Sequence, residues 1–587
     1  MARTSRRPGP AFRALAVCLA ACALGGVAHA ARNYKVVVTG LSGPADENVE
    51  AIVDPDRTAK GVKLDEAEVR RMHEQTAQLI RTALQPYGFY RASITGGLRQ
   101  VKDGWESDFD VVPGPAIKLD SVVVSVTGPG ASDPAFQKAE SAFPLHRGDV
   151  LLHASYEHGK LAIEQAAAKG GFIDARWLEN AMRVDIQRYT AEIVLRYDTG
   201  PRYTFGDVVF DEHIINARFL KGYANFKKGD PLDLSKLLAF QAALGESPYF
   251  SDVEVEPLRD EAQAYAVPIK VTVGAARRQH YRAGLGYGTD TGARARGQLE
   301  IRRVNARGHR ADLDLLTSRP ETRAAANYYV PWPYPATDVV TFGVAAGQER
   351  VAGTLGRRAS VGVAWSRMLG QWRRGLELRY QRERFVVSTD SGTVGTLEPG
   401  MSWSWTRADD RLFTRNGARL LSDTRAASAS VLSSVSYTQL ELSGKWIRGI
   451  TPVNRLIVRL GLGATATNDF HRLPRSRRYF AGGAESVRGY AYQSLGPHGA
   501  DDIVQGGRYL EIGSLELDQW LRNRPLGIAA FYDAGNALAR FGGTLEQGAG
   551  LGLRWRSPVG LLRADFAMPL HSGSRRLVFH FQMGPEL

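Results

Sequence analysis

At 587 residues, with 62 glycines and 10 tryptophans, the chain is too long for one ordinary domain, and several are expected. Its formal charge is +14, but residues 1–30 hold four arginines and no acid, which leaves +10 for the rest. That excess is arginine spread through alternating segments, with no lysine-rich tail or recognition helix, so the usual reading of such a balance, nucleic-acid binding, is set aside.

Taken in order, the chain opens on Arg3, Arg6, Arg7 and Arg13, an apolar stretch from Ala14 to Val27, and the small-x-small triplet Ala28-His29-Ala30. This pattern predicts an export signal over residues 1–30 and a mature N-terminus at Ala31. Leu19-Ala20-Ala21-Cys22 also fits a lipoprotein box with Cys22 acylated. Apolar sequence running well past Cys22 favours cleavage after Ala30. Both cysteines, Cys18 and Cys22, lie in the signal, so the mature chain has neither disulfides nor thiol chemistry. No later apolar run is long enough for a transmembrane helix.

Residues 31–275 carry a three-fold repeat of roughly 80 residues, with units at 31–115, 116–201 and 202–275. Each opens on an apolar strand: Tyr34 to Val38, Leu119 to Val126, Tyr203 to Phe210. Helical spacing follows, through Val69, Met72, Leu79, Ile80, Ala83 and Leu84 in the first unit and Leu234, Leu237, Leu238 and Leu244 in the third. Gly148-Asp149 and Gly229-Asp230 are expected to announce the second and third helices, the latter reinforced by Pro231. An aromatic turn and two strands close each unit, giving the order β-α-α-β-β.

From about residue 276 the period becomes two. Val340/Phe342/Val344, Val361/Val363/Trp365, Leu376/Leu378/Tyr380, Leu456/Val458/Leu460/Leu462 and Leu577/Phe579/Phe581 each present one apolar face, with Gly, Thr, Ser, Arg or Glu between. That is the alternation of a membrane β-barrel, lipid-facing and lumen-facing by turns. Trp332, Tyr334, Trp372, Trp403, Trp405, Trp446 and Trp520 lie near segment ends, where interfacial girdles are expected. Length divided by roughly 19 residues per strand and connection predicts about 16 antiparallel strands over 276–587.

No catalytic constellation is legible. There is no nucleophile elbow, no His-Glu-x-x-His, no phosphate-cradling loop and no metal-ligand spacing, so neither enzymatic activity nor a cofactor is expected. One stretch breaks the alternation: Asp469 to Val504, and within it Gly482-Gly483-Ala484-Glu485-Ser486-Val487-Arg488-Gly489-Tyr490. A long non-repetitive segment in a compact architecture is usually functional or disordered. Arg488 would need an acid if folded into a lumen, since an unpaired buried charge costs several kcal/mol.

The stretch Gly482, Gly483, Val487, Arg488, Gly489 and Tyr490 resembles the loop signature of the BamA/TamA superfamily of outer-membrane assembly and translocation barrels. Three further stretches follow the same family in order: Gly286 to Gly292; Phe531-Tyr532-Asp533-Ala534-Gly535-Asn536; and Gly550 to Arg554 with Ser557 to Gly560 and Arg563 to Asp565. The repeats resemble polypeptide-transport-associated (POTRA) domains. The resemblance is to TamA-like members, with three such domains in the periplasm and a barrel in the outer membrane of a Gram-negative cell. It implies insertion or translocation of unfolded outer-membrane protein clients, autotransporters especially. It also implies a TamB-like partner, anchored in the inner membrane and spanning the periplasm. A two-partner secretion transporter typically has two POTRA domains, and a general barrel-assembly protein five.

By the same resemblance Arg488 pairs with Asp533, with Asp565 and Glu511 as alternatives. Period two puts Phe531 on the face of Asp533, which is odd unless Phe531 packs on the loop. The seam is expected between a first strand, Tyr281 to Gly288, and a last strand, Leu577 to Met583. Gly284, Gly286 and Gly288 leave the inner face of the first strand almost bare, opposite Leu577, Phe579 and Phe581 on the last. With Pro585 just beyond, the closing ladder should be weak and able to part sideways. Register permitting, a disulfide joining Leu285 and Phe579 after both are changed to cysteine is expected to lock it.

Overall fold

The computed structural model describes residues 34–53, 65–101, 104–211, 214–410, 413–522, 524–557, 560–571 and 576–584. The export signal with Cys18 and Cys22, Pro558-Val559 and the tail Pro585-Glu586-Leu587 lie outside them.

The three repeats fold as three-stranded sheets with helices. The first is β1 (Tyr34–Thr39), α1 (Pro44–Val53), α2 (Glu66–Leu84), β2 (Ser93–Val101) and β3 (Gly104–Val112), in sheet order β1-β3-β2 with β1 parallel to β3. Asp65 caps α2 by accepting from the Glu68 amide at 2.7 Å, and Val49, Ile80, Leu84, Phe109 and Val111 form the core. The second is β4 (Lys118–Thr127), α3 (Pro134–Ser141), α4 (His153–Gly170), β5 (Arg176–Asp185) and β6 (Thr190–Asp198), in order β4-β6-β5. The third is β7 (Thr204–Phe210), α5 (Ala217–Leu220), α6 (Leu234–Gly245), β8 (Phe250–Pro257) and β9 (Ala266–Ala275), in order β7-β9-β8.

Two expectations are corrected here. The Gly-Asp pairs do not cap helices. Asp149 accepts from the His146 amide at 2.7 Å and Asp230 from the Lys227 amide at 2.9 Å, each closing a turn. Those turns set Val150 against Lys118 and Pro231 against Thr204 in single bridges, so the residues after Gly-Asp are engaged with the sheet and each helix starts later. Leu79, Leu234 and Leu238, placed on buried helical faces, are instead exposed: Leu79 and Leu238 each lie one position off the stripe formed by Ile80 and Leu237, and Leu234 is the first residue of its helix.

The rest of the chain is one antiparallel sheet of sixteen strands in chain order, from β10 (Gln279–Gly288) to β25 (Val578–Gly584). The apolar residues of the period-two pattern face out: Phe342, Val344, Val361, Leu376, Leu378, Leu460 and Leu462 are all exposed. Among the described residues no helix is long and apolar enough to cross a membrane; the strands provide the apolar band. Trp332, Tyr334, Trp372 and Trp446 are exposed at the end where β10 begins. Trp520 is not part of that girdle. It is buried, edge-on to Phe413 at 4.9 Å, with Arg556 over its ring at 4.0 Å.

Candidate functional site

The long non-alternating segment connects β20 (Asn454–Thr467) to β21 (Tyr509–Trp520) and turns back into the barrel. Gly482, Gly483 and Gly489 all have φ near +100°, where side chains are strained. At Gly489 a Cβ would also stand 3.0 Å from the backbone of Met568. Val487 is fully buried among Tyr479, Ala481, Leu495 and Ala537, which fixes the loop tip. The next residue, Arg488, is 2% exposed.

Asp533, on β22 (Leu526–Leu538), receives three bonds from it: from the backbone N at 3.0 Å, Nε at 2.7 Å and Nη2 at 2.9 Å. Nη1 reaches Glu516 of β21 at 2.6 Å and Asp565, on β24 (Gly560–Pro569), at 3.1 Å. Such bidentate, charge-assisted contacts are the strong class of hydrogen bond. The guanidinium carbon lies 3.4 Å from the Phe531 ring centroid, so the aromatic beside Asp533 is the floor of the arginine site. The fork of Gly489 and Tyr490 adds two further ties: the Gly489 amide donates to His580 Nε2 at 3.1 Å and the Tyr490 hydroxyl to Glu546 at 2.8 Å.

Arg488 belongs to a larger buried lattice. Arg554, on β23 (Glu546–Ser557), binds Glu516 at 2.7 Å and Asp565 at 2.5 Å; Arg455 of β20 binds Asp518 at 2.7 Å; Arg459 approaches Asp533 at 3.6 Å. Four guanidiniums thus face four carboxylates, which is the condition under which charges withstand desolvation. Room for it comes from the inner face of β23. A Cβ on Gly548 would fall 1.9 Å from the Arg488 carbonyl O, and one on Gly552 would fall 2.0 Å from Asp565.

Sequence reasoning did not find Arg455, Arg459, Arg554, Glu516 or Asp518, although each sits at an inward parity position of its strand. It named Glu511 as an alternative partner; that carboxylate is elsewhere, accepting from the Gly542 amide at 2.8 Å. It also passed over Arg475, Arg477 and Arg478, which anchor the start of the loop to a different part of the wall. Arg475 binds Glu349 at 2.7 Å, Arg477 binds Glu398 at 2.5 Å and Arg478 binds Asp390 at 2.8 Å. The run Arg475-x-Arg477-Arg478 in a segment already suspected of entering a lumen was the available signal.

At the seam, β10 pairs with β11 (Gly292–Ile301) and β25 with β24, and no ladder joins β10 to β25 among the described residues. Contact is made just past the end of β10. The Thr289 amide donates to the Phe581 carbonyl at 3.4 Å, and the Phe581 amide donates to Thr289 Oγ1 at 3.2 Å. Arg294 donates to the Met583 carbonyl at 3.2 Å. Gly288 lies near that contact, Gly284 faces open space, and Gly286 lies under Arg294. Phe579 is exposed on the outer face with Tyr281, Leu285 and Tyr287, and Phe581 shares its parity. Leu577 falls just before β25, which starts at Val578. Since Thr289 opposes Phe581, Leu285 does not face Phe579. The pairing is offset by six residues, and Gly584 comes opposite Gly286.

A barrel of sixteen strands, preceded by β-α-α-β-β repeats and holding a loop arginine on its inner wall, defines the class of outer-membrane assembly and secretion barrels. Residues 304–586 match the Omp85 superfamily domain, and residues 35–113 match the first POTRA domain of TamA. The outer membrane protein assembly factor BamA of Nitratidesulfovibrio vulgaris is 32% identical over 138 residues, 21% of this chain and 17% of the relative, so the match spans under a fifth of that protein. BamA from Haemophilus ducreyi lacking POTRA domains 1–3 superposes with a TM-score of 0.65 at 15% identity, over 80% of this chain and 99% of that one. CdiB from Acinetobacter baumannii gives 0.47 at 14% identity, over 89% and 99%. Residues 304–586 are thus an Omp85 superfamily domain, and together with the TamA-type POTRA match they make this a BamA/TamA-type barrel.

Proposed function

We propose that the protein inserts outer-membrane β-proteins, autotransporters among them, by lateral parting of the barrel between β10 and β25. In this reading the barrel lies in the outer membrane with the three repeats in the periplasm, and the protein has no catalytic activity of its own. The observation that carries it is the seam. Among the described residues β10 has no ladder partner on the side facing β25; the two meet only just past the end of β10, at Thr289 and Phe581. Unsatisfied backbone groups are costly in lipid and act as templates for another strand. An unfolded client strand supplies that partner. The repeat sheets offer edge strands of the kind that accept an extended segment, which suits a TamB-like, inner-membrane-anchored protein that delivers clients.

The test is a reversible lock. Tyr287 and Met583 oppose one another in the observed pairing, and the mature chain has no cysteine of its own. Tyr287→Cys with Met583→Cys should, when oxidised, stop autotransporter assembly, and reduction should restore it. A crosslinked barrel that assembles autotransporters at the normal rate would exclude lateral parting.

A further inference from the structure

We propose that the outer face of strands β14 (Asp338–Val351), β15 (Thr354–Leu369) and β16 (Trp372–Val387) binds the phosphates of a phosphorylated glycolipid through Arg357, Arg382 and Arg384. This rests on the orientation given under Proposed function, which puts the end of the barrel opposite the start of β10 in the outer leaflet.

The three arginines are at outward parity and exposed, next to the apolar positions Leu376, Leu378 and Tyr380 on β16. Arg357 and Arg384 are direct cross-strand partners, and Arg382, opposite Ala359, is one pleat away. Like charges directly opposed on one sheet face are destabilising unless something lies between them. The buried arginines of the loop and the lattice, by contrast, each face a carboxylate. These three have no ion-pair or side-chain hydrogen-bond partner among the described residues, and the outward neighbours Gln348, Thr393 and Gly395 are uncharged.

Height along the wall decides what the anion is. The rings of Trp372, Trp403 and Trp405 pack together at the start of β16, with centroids 6.1 and 6.4 Å from Trp372, and mark one interface. Arg382 is ten residues further on and Arg384 twelve. At ~3.3 Å per residue and a tilt of ~40°, they stand ~25 and ~30 Å above the tryptophans. The apolar band of such barrels is ~25 Å tall, so the guanidiniums emerge where the far leaflet's headgroups begin. They line one edge of a groove of about 1,100 Å³, floored by Ala324, Ala346 and Ala359, which are opposed in one row across three strands that runs on to Arg382. Small residues there leave space for acyl chains, and the arginine forks supply planar, multi-donor recognition of phosphate. In a Gram-negative outer membrane the lipid of that leaflet is a phosphorylated glycolipid, which matches groove and charge together.

The experiment uses the full chain in nanodiscs of phosphatidylethanolamine doped with lipid A, dephosphorylated lipid A or phosphatidylglycerol. Native mass spectrometry reads the retained lipid. The native protein should retain lipid A preferentially. Arg357→Gln with Arg382→Gln and Arg384→Gln should weaken retention at least about tenfold, and Arg384→Gln alone should weaken it less, with heat-modifiability of the barrel unchanged in both. Equal retention by native and triple-variant protein overturns the proposal. So does retention of dephosphorylated lipid A or phosphatidylglycerol as strong as that of lipid A. A native protein that is not a heat-modifiable membrane barrel would instead overturn the functional reading on which the proposal rests.

Discussion

Two rows of inward glycines flank the seam of this barrel, one on β10 and one on β23, two strands in from β25, and have opposite consequences. On β23, Gly548 is filled by the Arg488 carbonyl of the inserted loop, and Gly550 and Gly552 by the Phe531 ring and the Asp565 carboxylate of the strands on either side, which occupy the space their side chains would take. On β10, Gly284 has nothing within 4 Å, and the strand beside it is reached only near Thr289. Bareness is therefore not a property with a fixed sign. Where a loop descends onto it, it permits backbone-close packing and a buried charge lattice. Where nothing descends, it leaves a strand with little holding it.

Removing the arginine should break the difference between the two sides. Arg488→Ala leaves Asp533, Glu516 and Asp565 buried around a void, a cost of about 3–5 kcal/mol. The loop should leave the wall, seen as protease cleavage within residues 482–490 and a lower unfolding midpoint. Arg488→Lys should lie between, since the charge remains and the fork does not. Protection equal to that of the native protein in Arg488→Ala would mean the lattice does not hold the loop.

A smaller effect is expected from testing the rows directly. Gly548→Ala must displace the Arg488 carbonyl and should destabilise by about 1–3 kcal/mol. Gly284→Ala meets open space, so its unfolding midpoint should match the native one. Equal midpoints for the two variants would remove the contrast. Smallest is Thr289→Val, which deletes the acceptor for the Phe581 amide and should cost about 1 kcal/mol at the seam. Hydrogen exchange should quicken at residues 579–583 and stay unchanged on β21–β23.

Much of the architecture was legible because a membrane wall imposes a strict period of two, and interruptions in it stand out. The sixteen strands, the outward faces and the odd segment around Arg488 follow from that. Parity also placed Phe531 beside Asp533, and what looked like an inconsistency is the ring beneath the guanidinium. The partners Glu516, Asp518 and Arg554 were not legible, because parity gives the side of the wall but not the height, and the lattice depends on height between residues as far as 77 apart in sequence. The offset at the seam was hidden for the same reason. Alternation fixes which face a residue takes but leaves the sliding of one strand against another undetermined. The Gly-Asp turns failed differently: a local helix-start signal was recruited by the sheet.

The tip of the loop touches both lips of the seam. The Ala484 amide donates to Asp290, in the turn after β10, at 2.7 Å, and Gln582 of β25 donates to Glu485 at 2.8 Å. One segment therefore bridges the two strands that have to separate, while Arg488 beside it holds β21, β22 and β24. Loop position and seam state then share a coupling free energy, and such couplings act equally in both directions. A client strand that pries β10 from β25 loosens the tip by as much as a loosened tip eases the entry of the client. The arginine lattice, whose Asp565 lies on β24 directly beside His580 of β25, sets the force at which the barrel yields.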